Sequence, residues 1–423
     1  MTAHKLAIPD SLRPFWERHE LLLLSGIFAL GLLIRLSWLG VDFNITADLP
    51  ILRSWIVTLQ EEGLTGFYGT VGERTYPPLS IYLLAAGGWL ADKLSSSAVP
   101  DESLLNALIK LPAILADVGT AALLVWQAAK QTAAWRILIT GLYLLNPAVW
   151  YVSIYWGQTD AIYLFFLFAA LLLLARGAVV PAWLCYALSL AVKLQALPLV
   201  FLFLAWTLVY YGRRVLLKGL VAGGAAGLIL MLPWLLNGRL LGVITATLSS
   251  SSRVVQSAYN GWYFLLRDQA GTAEASQSLG ILPFSYQTIS LLLFLIAVFV
   301  VTILIVRHKE QLSLPIAAVV LTLTAFLFLT DIRERYLFPV LPLLLWGAGQ
   351  QRRLLWFYLI LTATWLFNLV TIASFAPELW TNLVAWPRPY PTHIALLKTI
   401  AWVVSAVHLA IYFWLASFLI VVK

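Results

Sequence analysis

The chain has 423 residues and a formal net charge of +8; 61% of its residues are hydrophobic and only 11% are charged. Soluble domains carry about a quarter charged residues, so this composition, with a mean hydropathy of +0.89, excludes an ordinary soluble protein. The positive charge forms no basic stripe, and it indicates membrane orientation and headgroup affinity instead of a nucleic-acid partner. Cys185 is the one cysteine, so no disulfide forms within the chain.

Apolar blocks recur along the sequence, and a helical crossing of a bilayer takes about 20 residues. The first block, 21–39, follows a polar flank too long for a cleavable signal, so we predict a retained first span. We predict an all-α polytopic membrane protein with about twelve spans in a single domain, 1–423, that closes with C-terminal helices over 354–423. The further predicted spans are 104–129, 137–152, 161–175, 182–211, 216–236, 286–306, 314–329, 337–349, 354–374 and 399–422.

Short basic loops, such as those with Arg213-Arg214 and Arg352-Arg353, place one side of the protein and the N-terminus in the cytoplasm. The longer loops 40–78 and 237–285 then lie outside, and we expect a multi-pass plasma-membrane protein with an extracytoplasmic active site.

One apolar segment, 78–90, leaves two topologies open. In the first it is a re-entrant or interfacial helix, and the span over 182–211 breaks near Lys193 and Pro198. In the second it crosses the membrane, and 182–211 forms one long helix.

Asp48 follows the first span and lies in the first outer loop. A carboxylate there could act as a general base that takes the proton of an attacking sugar hydroxyl. The alternative is a helix N-cap, because Asp48 precedes Pro50 and an amphipathic stretch. Asp42 lies nearer the end of the span and is the weaker candidate for the base.

A second polar segment ends in Trp156-Gly157-Gln158-Thr159-Asp160. Aromatic rings stack on apolar sugar faces while amides and carboxylates bind hydroxyls, so this segment is a candidate sugar site. Equally, Asn146-Pro147 and Gly157 could bend a helix, with Asp160 capping the next one.

Lys193 and Gln195 interrupt an apolar stretch, and we predict a break near Pro198 that opens to the aqueous side. A lysine there suits a lipid phosphate; the alternative is an ion pair with Asp117 or Asp160.

The run Arg333-Glu334-Arg335 could clamp a phosphate through its two arginines, or form a solvated interfacial loop. Asn260 and Trp262 belong to an aromatic and amide cluster that either covers an outer pocket or forms an ordinary loop.

Lys110 and Asp117 share one helix face and could serve packing. No glycine-rich phosphate loop and no His/Cys cluster with metal-ligand spacing occurs in the sequence, so we predict no cofactor. The donor must then be reachable from the outer face, as a membrane-resident lipid phosphate is.

Five motifs occur in an order that resembles a known family. They are Asp48 with Trp55 beyond it, Tyr76-Pro77-Pro78-Leu79, Asn146-Pro147 leading to Trp156-Gly157-Gln158-Thr159-Asp160, Lys193-Leu194-Gln195-Ala196-Leu197, and Glu334-Arg335-Tyr336-Leu337-Phe338-Pro339. Together they resemble the bacterial mannosyltransferases related to the second GPI-anchor mannosyltransferase, within the C-type glycosyltransferase (GT-C) superfamily. The five motifs in order are specific for the superfamily and much less so for the substrate.

This resemblance implies a GT-C-like bundle whose outer loops form the active site, and an inverting transfer of a hexose, with mannose expected, from a polyprenyl-phosphate sugar. It implies that Asp48 is the catalytic base and that Lys193, Gln195 and Arg335 contact the donor phosphate, with Arg333 beside them. Predicted sugar or acceptor contacts are Trp156, Gln158, Asp160, Tyr76, Glu334, Asn260 and Trp262.

Arg333 departs from the histidine that the family often has at this position, which leaves the donor or acceptor open. Some relatives use a divalent metal, but the sequence has too few clustered carboxylates for us to predict one. The acceptor could be a glycolipid, a glycan or a protein. The rival function is a transporter or flippase of lipid-linked sugars, which binds the same phosphate without bond chemistry.

Overall fold

A computed structural model describes residues 13–43, 46–69, 76–95, 100–248, 252–280, 283–371 and 391–419. These residues are helical with no β-strand, and only isolated β-bridges join the extended segments that they contain. Eight of the helices in these ranges are long and apolar enough to cross a membrane. The prediction of an all-helical fold is confirmed, and the eight candidate spans agree with the predicted membrane protein, whereas the GT-C-like bundle and the count of about twelve spans stay predictions.

The chain forms two compact units. Unit 1 comprises Met1–Leu197 and Arg214–Ser249, and unit 2 comprises Pro198–Arg213 and Ser250–Lys423. The helices that lie in unit 1 are α1 Arg13–Leu36, α2 Asp48–Gly66, α3 Pro78–Leu94, α4 Glu102–Gln127, α5 Ala133–Leu144, α6 Pro147–Trp150, α7 Asp160–Ala175, α8 Val179–Val192, α10 Arg213–Leu236 and α11 Leu240–Leu248. Those of unit 2 are α9 Val200–Tyr211, α12 Gly261–Leu266, α13 Tyr286–Arg307, α14 Leu314–Phe328, α15 Val340–Ala348, α16 Leu354–Thr371 and α17 Pro391–Ser417.

Local signals in the sequence set several helix ends. The Asp101 side chain accepts from Leu104 N at 2.8 Å and caps α4, and the Thr132 hydroxyl caps α5 in the same way. The break near Lys193 is confirmed: Lys193 is extended, with φ −153° and ψ 143°, and a 3₁₀ helix with Pro198 inside it follows. The alternative of one continuous helix over 182–211 is therefore wrong.

Three predicted spans correspond to shorter helices. The segments 161–175, 314–329 and 337–349 correspond to α7, α14 and α15, which have 16, 15 and 9 residues and so are shorter than the roughly 20 residues of a helical crossing. The disputed segment 78–90 forms α3, a regular helix of 17 residues. A helix of that length rises about 26 Å at 1.5 Å per residue, somewhat less than the hydrocarbon layer of about 30 Å. Whether this segment crosses the membrane or re-enters it therefore stays open.

Helix α4 is central to unit 1, where it packs against α1, α2, α3, α5, α7 and the π-helical turn Tyr151–Tyr155. An apolar cluster beside it joins the buried face of α2, with Leu52, Trp55 and Ile56, to Trp234 of α10. In unit 2, α14 is buried along nearly its whole length and packs against α13, α15 and α17.

Arg35 of α1 and Asp117 of α4 form an ion pair of 3.0 Å in which both side chains are completely buried. Removing one partner of such a pair costs about 3–5 kcal/mol, because the other charge stays buried without compensation. We expect Arg35→Met and Asp117→Leu each to lose about that much unfolding free energy, and the double variant to lose less than the sum. Unfolding in mixed detergent micelles, analysed as a double-mutant cycle, measures this; additive losses would contradict a coupled pair.

Candidate active site

Asp48 is the first residue of α2, and its carboxylate is held by two donors. Trp156 Nε1 donates to Asp48 Oδ2 at 2.6 Å, and Thr46 Oγ1 donates to the same oxygen at 3.0 Å. Ala47 occupies the N-cap position, so the N-cap alternative for Asp48 does not match this helix. Asp48 as a residue is half-buried, and a negative charge in the first turn is favoured by the helix dipole.

Trp156 reaches Asp48 because the chain bends sharply before it. Asn146 accepts from Ala148 N at 2.9 Å and starts the short helix α6, which continues into the π-helical turn Tyr151–Tyr155. Gly157 then adopts a φ of +75°, which glycine tolerates and other residues rarely do. The bend anticipated at Asn146-Pro147 and Gly157 is thus present, and it carries the Trp156 indole to the start of α2. Asp160 does not cap α7, because Thr159 takes the N-cap position.

Four of the predicted site residues meet in a second polar cluster. Lys193 Nζ donates to Asp160 Oδ2 at 2.7 Å and to Gln158 Oε1 at 3.0 Å, and Tyr76 Oη donates to the same Gln158 oxygen at 3.2 Å. The ammonium also lies 4.8 Å from the centre of the Tyr76 ring. Lys193 is only 2% exposed. The ion pair with Asp160, one of the two alternatives for this lysine, is what the structure shows.

Tyr76 is the most accessible member of this cluster, and neighbouring aromatic residues hold it. Its carbonyl accepts from Tyr68 Oη at 2.6 Å, and its ring meets Trp55 edge to face at 5.3 Å. Burial raises the pKa of the Tyr68 phenol, so this group remains a hydrogen-bond donor. Tyr76 is the first described residue after 70–75, which lie outside the described ranges.

Sequence reasoning missed the residues that support these two clusters. Phe43 stacks on Tyr155 with ring centres 3.8 Å apart, and the buried Ser153 donates to Asp117 Oδ2 at 2.7 Å. The position of Phe43 in the loop before Asp48 gave a weak signal for the stacking. The sequence gives no signal for the role of Ser153, because its position depends on the extra residue of a π-helical turn, which the sequence does not predict.

The remaining predicted residue of unit 1, Gln195, is half-buried in the 3₁₀ helix after Lys193. Arg333, Glu334 and Arg335 belong to unit 2. Arg335 Nη1 lies 3.3 Å from Glu334 Oε1, and Ser257 also donates to the Glu334 carboxylate. Glu334 and Arg335 are buried and Arg333 is half-buried, so the alternative of a solvated loop does not describe this run.

The polar side-chain atoms of Asn260 and Trp262, also in unit 2, form hydrogen bonds with backbone groups. Asn260 Nδ2 donates to Phe326 O at 3.1 Å while its Oδ1 accepts from Tyr263 N, and Trp262 Nε1 donates to Phe328 O at 2.7 Å. Both side chains are buried. They fasten the start of α12 to the last carbonyls of α14.

The described part of the chain contains no group of three or more His, Cys, Asp or Glu side chains that could hold a metal ion. Within unit 1, the arrangement provides a fixed carboxylate on a half-buried residue, an indole against it, and a buried lysine among oxygen ligands.

We compared the chain with protein-family models and with curated proteins, and neither comparison gives a match. The likeness to the C-type glycosyltransferases therefore rests on the five motifs.

Gly157 provides a test of this geometry. A Cβ at this position would lie 2.7 Å from Leu49 Cδ2, so Gly157→Ala adds a steric clash to the strain of a positive φ. Gly238 has a φ of +67°, and a Cβ added there would have no atom within 4 Å, so Gly238→Ala is the matched control for strain alone. We expect Gly157→Ala to lose about 1–3 kcal/mol more unfolding free energy than the control. Equal losses would show that Leu49 and Gly157 do not pack as described.

Proposed function

We propose that the protein is a membrane glycosyltransferase that transfers a hexose, with mannose the first sugar to test, from a polyprenyl-phosphate sugar to an acceptor hydroxyl with inversion. The observation that carries the proposal is the hydrogen bond from Trp156 to Asp48. It holds a carboxylate in one orientation at an accessible helix start, as a positioned general base requires.

In the proposed reaction, the acceptor oxygen attacks the anomeric carbon of the donor sugar from the face opposite the phosphate. The bond between that carbon and the phosphate oxygen breaks, and the polyprenyl phosphate leaves with the electron pair. The acceptor proton passes to the Asp48 carboxylate, which the Trp156 and Thr46 donors orient through Oδ2.

The buried cluster around Lys193 supports a neighbouring sugar site. Trp156, Gln158, Asp160 and Tyr76 combine aromatic faces with amide and carboxylate groups, which is the combination that sugars bind. Lys193 is assigned to the donor phosphate, and it also holds Gln158 and Asp160 in place. Donor binding through Lys193 then requires the phosphate to replace part of these contacts.

The remaining assignments follow the resemblance. We propose that Gln195 supplies a further donor-phosphate contact within unit 1. The phosphate role of Arg335 and Arg333 of unit 2 stays a prediction from the sequence, and Glu334 orients Arg335 through their contact. Asn260 and Trp262 are left out of the site, because their polar groups bind backbone carbonyls. A GT-C bundle of about twelve spans with its site on the extracytoplasmic side of the plasma membrane completes the proposal.

Asp48→Asn tests the catalytic assignment. The amide keeps the shape and can still accept from Trp156, but it cannot take a proton, so we expect turnover to fall by about 10²–10⁴-fold. Donor binding and thermal stability should stay near those of the parent protein. The measurement is product formation by purified protein in detergent, with polyprenyl-phosphate mannose and a panel of glycolipid, glycan and peptide acceptors.

The parent protein is the control in this assay. Product from the parent and none from Asp48→Asn supports the proposal, and normal turnover of Asp48→Asn contradicts the role of the base. Donor binding by the parent without product across the panel would favour a transporter or flippase.

A second prediction separates donor binding from proton transfer. Lys193→Gln/Asp160→Asn replaces the ion pair with two neutral amides of similar size, so no buried charge is left uncompensated. A hydrogen bond to a charged group contributes about 1.5–3 kcal/mol, so loss of the lysine should weaken donor binding by roughly 10–100-fold. Equilibrium binding of the donor measures this, with Asp48→Asn as the control that keeps normal affinity. Unchanged affinity in the double variant would remove Lys193 from the phosphate site.

A further inference from the structure

Helix α4 carries four buried polar side chains, Asn106, Lys110, Asp117 and Thr120. The first three lie at positions i, i+4 and i+11 of one face and make hydrogen bonds to other segments. We call these three residues the α4 polar stripe. Burying polar and charged groups inside an apolar bundle costs free energy. If α4 served packing alone, apolar residues at these positions would make the bundle more stable. Their hydrogen bonds show what the polar groups contribute.

The first part of the stripe holds the chain that leads to Asp48. Lys110 Nζ donates to Trp38 O and Val41 O, and Asn106 Nδ2 donates to Gly40 O at 3.1 Å. These carbonyls follow the end of α1, where helical donors run out; Trp38 O also accepts from Val41 N at 3.3 Å in the turn.

Arg53 fastens the same segment from the α2 side. It donates to Asp42 Oδ2 at 2.9 Å and to Asn106 Oδ1 at 2.7 Å. The segment before Asp48 is thus tied to α4 and to α2 at once.

The second part of the stripe holds the turn that leads to Trp156. Asp117 Oδ2 accepts from Ser153 Oγ at 2.7 Å, and Ser153 lies within the π-helical turn just before Trp156. Arg35 pairs with the same carboxylate and also donates to Leu144 O at 2.8 Å, at the end of α5. Asp117 therefore holds the middle of this irregular segment directly, through Ser153, and its start only through Arg35.

The two segments meet at the functional pair. Phe43 of the first segment stacks on Tyr155 of the second, and Trp156 donates to Asp48. We propose that the α4 polar stripe is the positioning device for the Asp48–Trp156 pair: Lys110 and Asn106 fix the Asp48 segment, and Asp117 fixes the Trp156 segment through Ser153. The positioning of the two residues does not depend on the proposed function, whereas its effect on catalysis rests on that function.

The test needs a readout of the pair that does not depend on activity. The protein is labelled with 5-fluorotryptophan, and the ¹⁹F resonance that disappears in Trp156→Phe is assigned to Trp156. The change of this resonance in Asp48→Asn shows how it responds when the acceptor of the Trp156 hydrogen bond is altered. Ser153→Ala and Lys110→Met then remove one support each, on separate segments. Thr120→Val is the matched control, because Thr120 is buried on the same helix and its hydroxyl has no hydrogen-bond partner among the described residues.

We expect the Trp156 resonance to shift or broaden in Ser153→Ala and in Lys110→Met, and to stay unchanged in Thr120→Val. Turnover should fall by up to about 10²-fold in the first two variants with little change in donor KM, as a misplaced catalytic group predicts. Lys110→Arg, which keeps a cationic donor, should recover part of the loss.

An unchanged Trp156 resonance in both folded variants would overturn the proposal, whatever the turnover. If the Trp156 resonance shifts in the two variants but the parent protein forms no product, the positioning role stands and the proposed function is rejected. Loss of stability with an unchanged resonance would assign the stripe to packing alone, and so also overturn the proposal.

Discussion

The hydrogen bond from the Trp156 indole to the Asp48 carboxylate is the contact on which the organisation of unit 1 depends. It joins residues 108 positions apart, and both ends lie in segments where regular helix has just stopped or is about to start. Irregular backbone inside a membrane protein has to find hydrogen-bond partners within the protein. The side chains of α4 and α1 supply those partners, and the Trp156 and Thr46 donors give the carboxylate at α2 a defined orientation.

Both units bury charged groups in pairs. In unit 1 these are Arg35 with Asp117 and Lys193 with Asp160, and in unit 2 Glu334 with Arg335. Unit 2 also uses neutral side chains: Asn368 binds the backbone of Ser257 and Tyr259, and His408 bridges Tyr259 O and Thr364. A neutral amide costs less free energy to bury than an ion. Removing one member of a buried ion pair would leave the other charge without compensation, so these pairs are the costlier contacts to lose.

The sequence predicted much of this because ionisable residues are rare in apolar helices. The long apolar blocks, the break at Lys193 and the bend at Asn146-Pro147 all follow from local chemistry. The partner of Lys193 does not follow from local chemistry, because the sequence allows either Asp117 or Asp160. In the structure, Asp117 pairs with Arg35 and Asp160 pairs with Lys193. The π-helical turn and the stripe on α4 depend on how helices pack, which local spacing does not encode. The short helices α3, α7 and α8 also show why hydropathy alone does not fix the number of spans.

Accessibility changes in a regular way across the two polar clusters of unit 1. Lys193, Asp160 and Gln158 are buried, whereas Asp48 and Tyr76 are partly exposed. A group that only stabilised the fold would be best placed with the buried set, because exposure weakens its electrostatic contacts. A base that exchanges protons with a substrate needs an accessible oxygen, and a residue that closes over bound sugar needs an accessible ring. The buried ion pair holds Gln158 through Lys193, and Gln158 accepts from the accessible Tyr76. A fixed polar group beneath an accessible aromatic residue is the arrangement that the proposed sugar site requires.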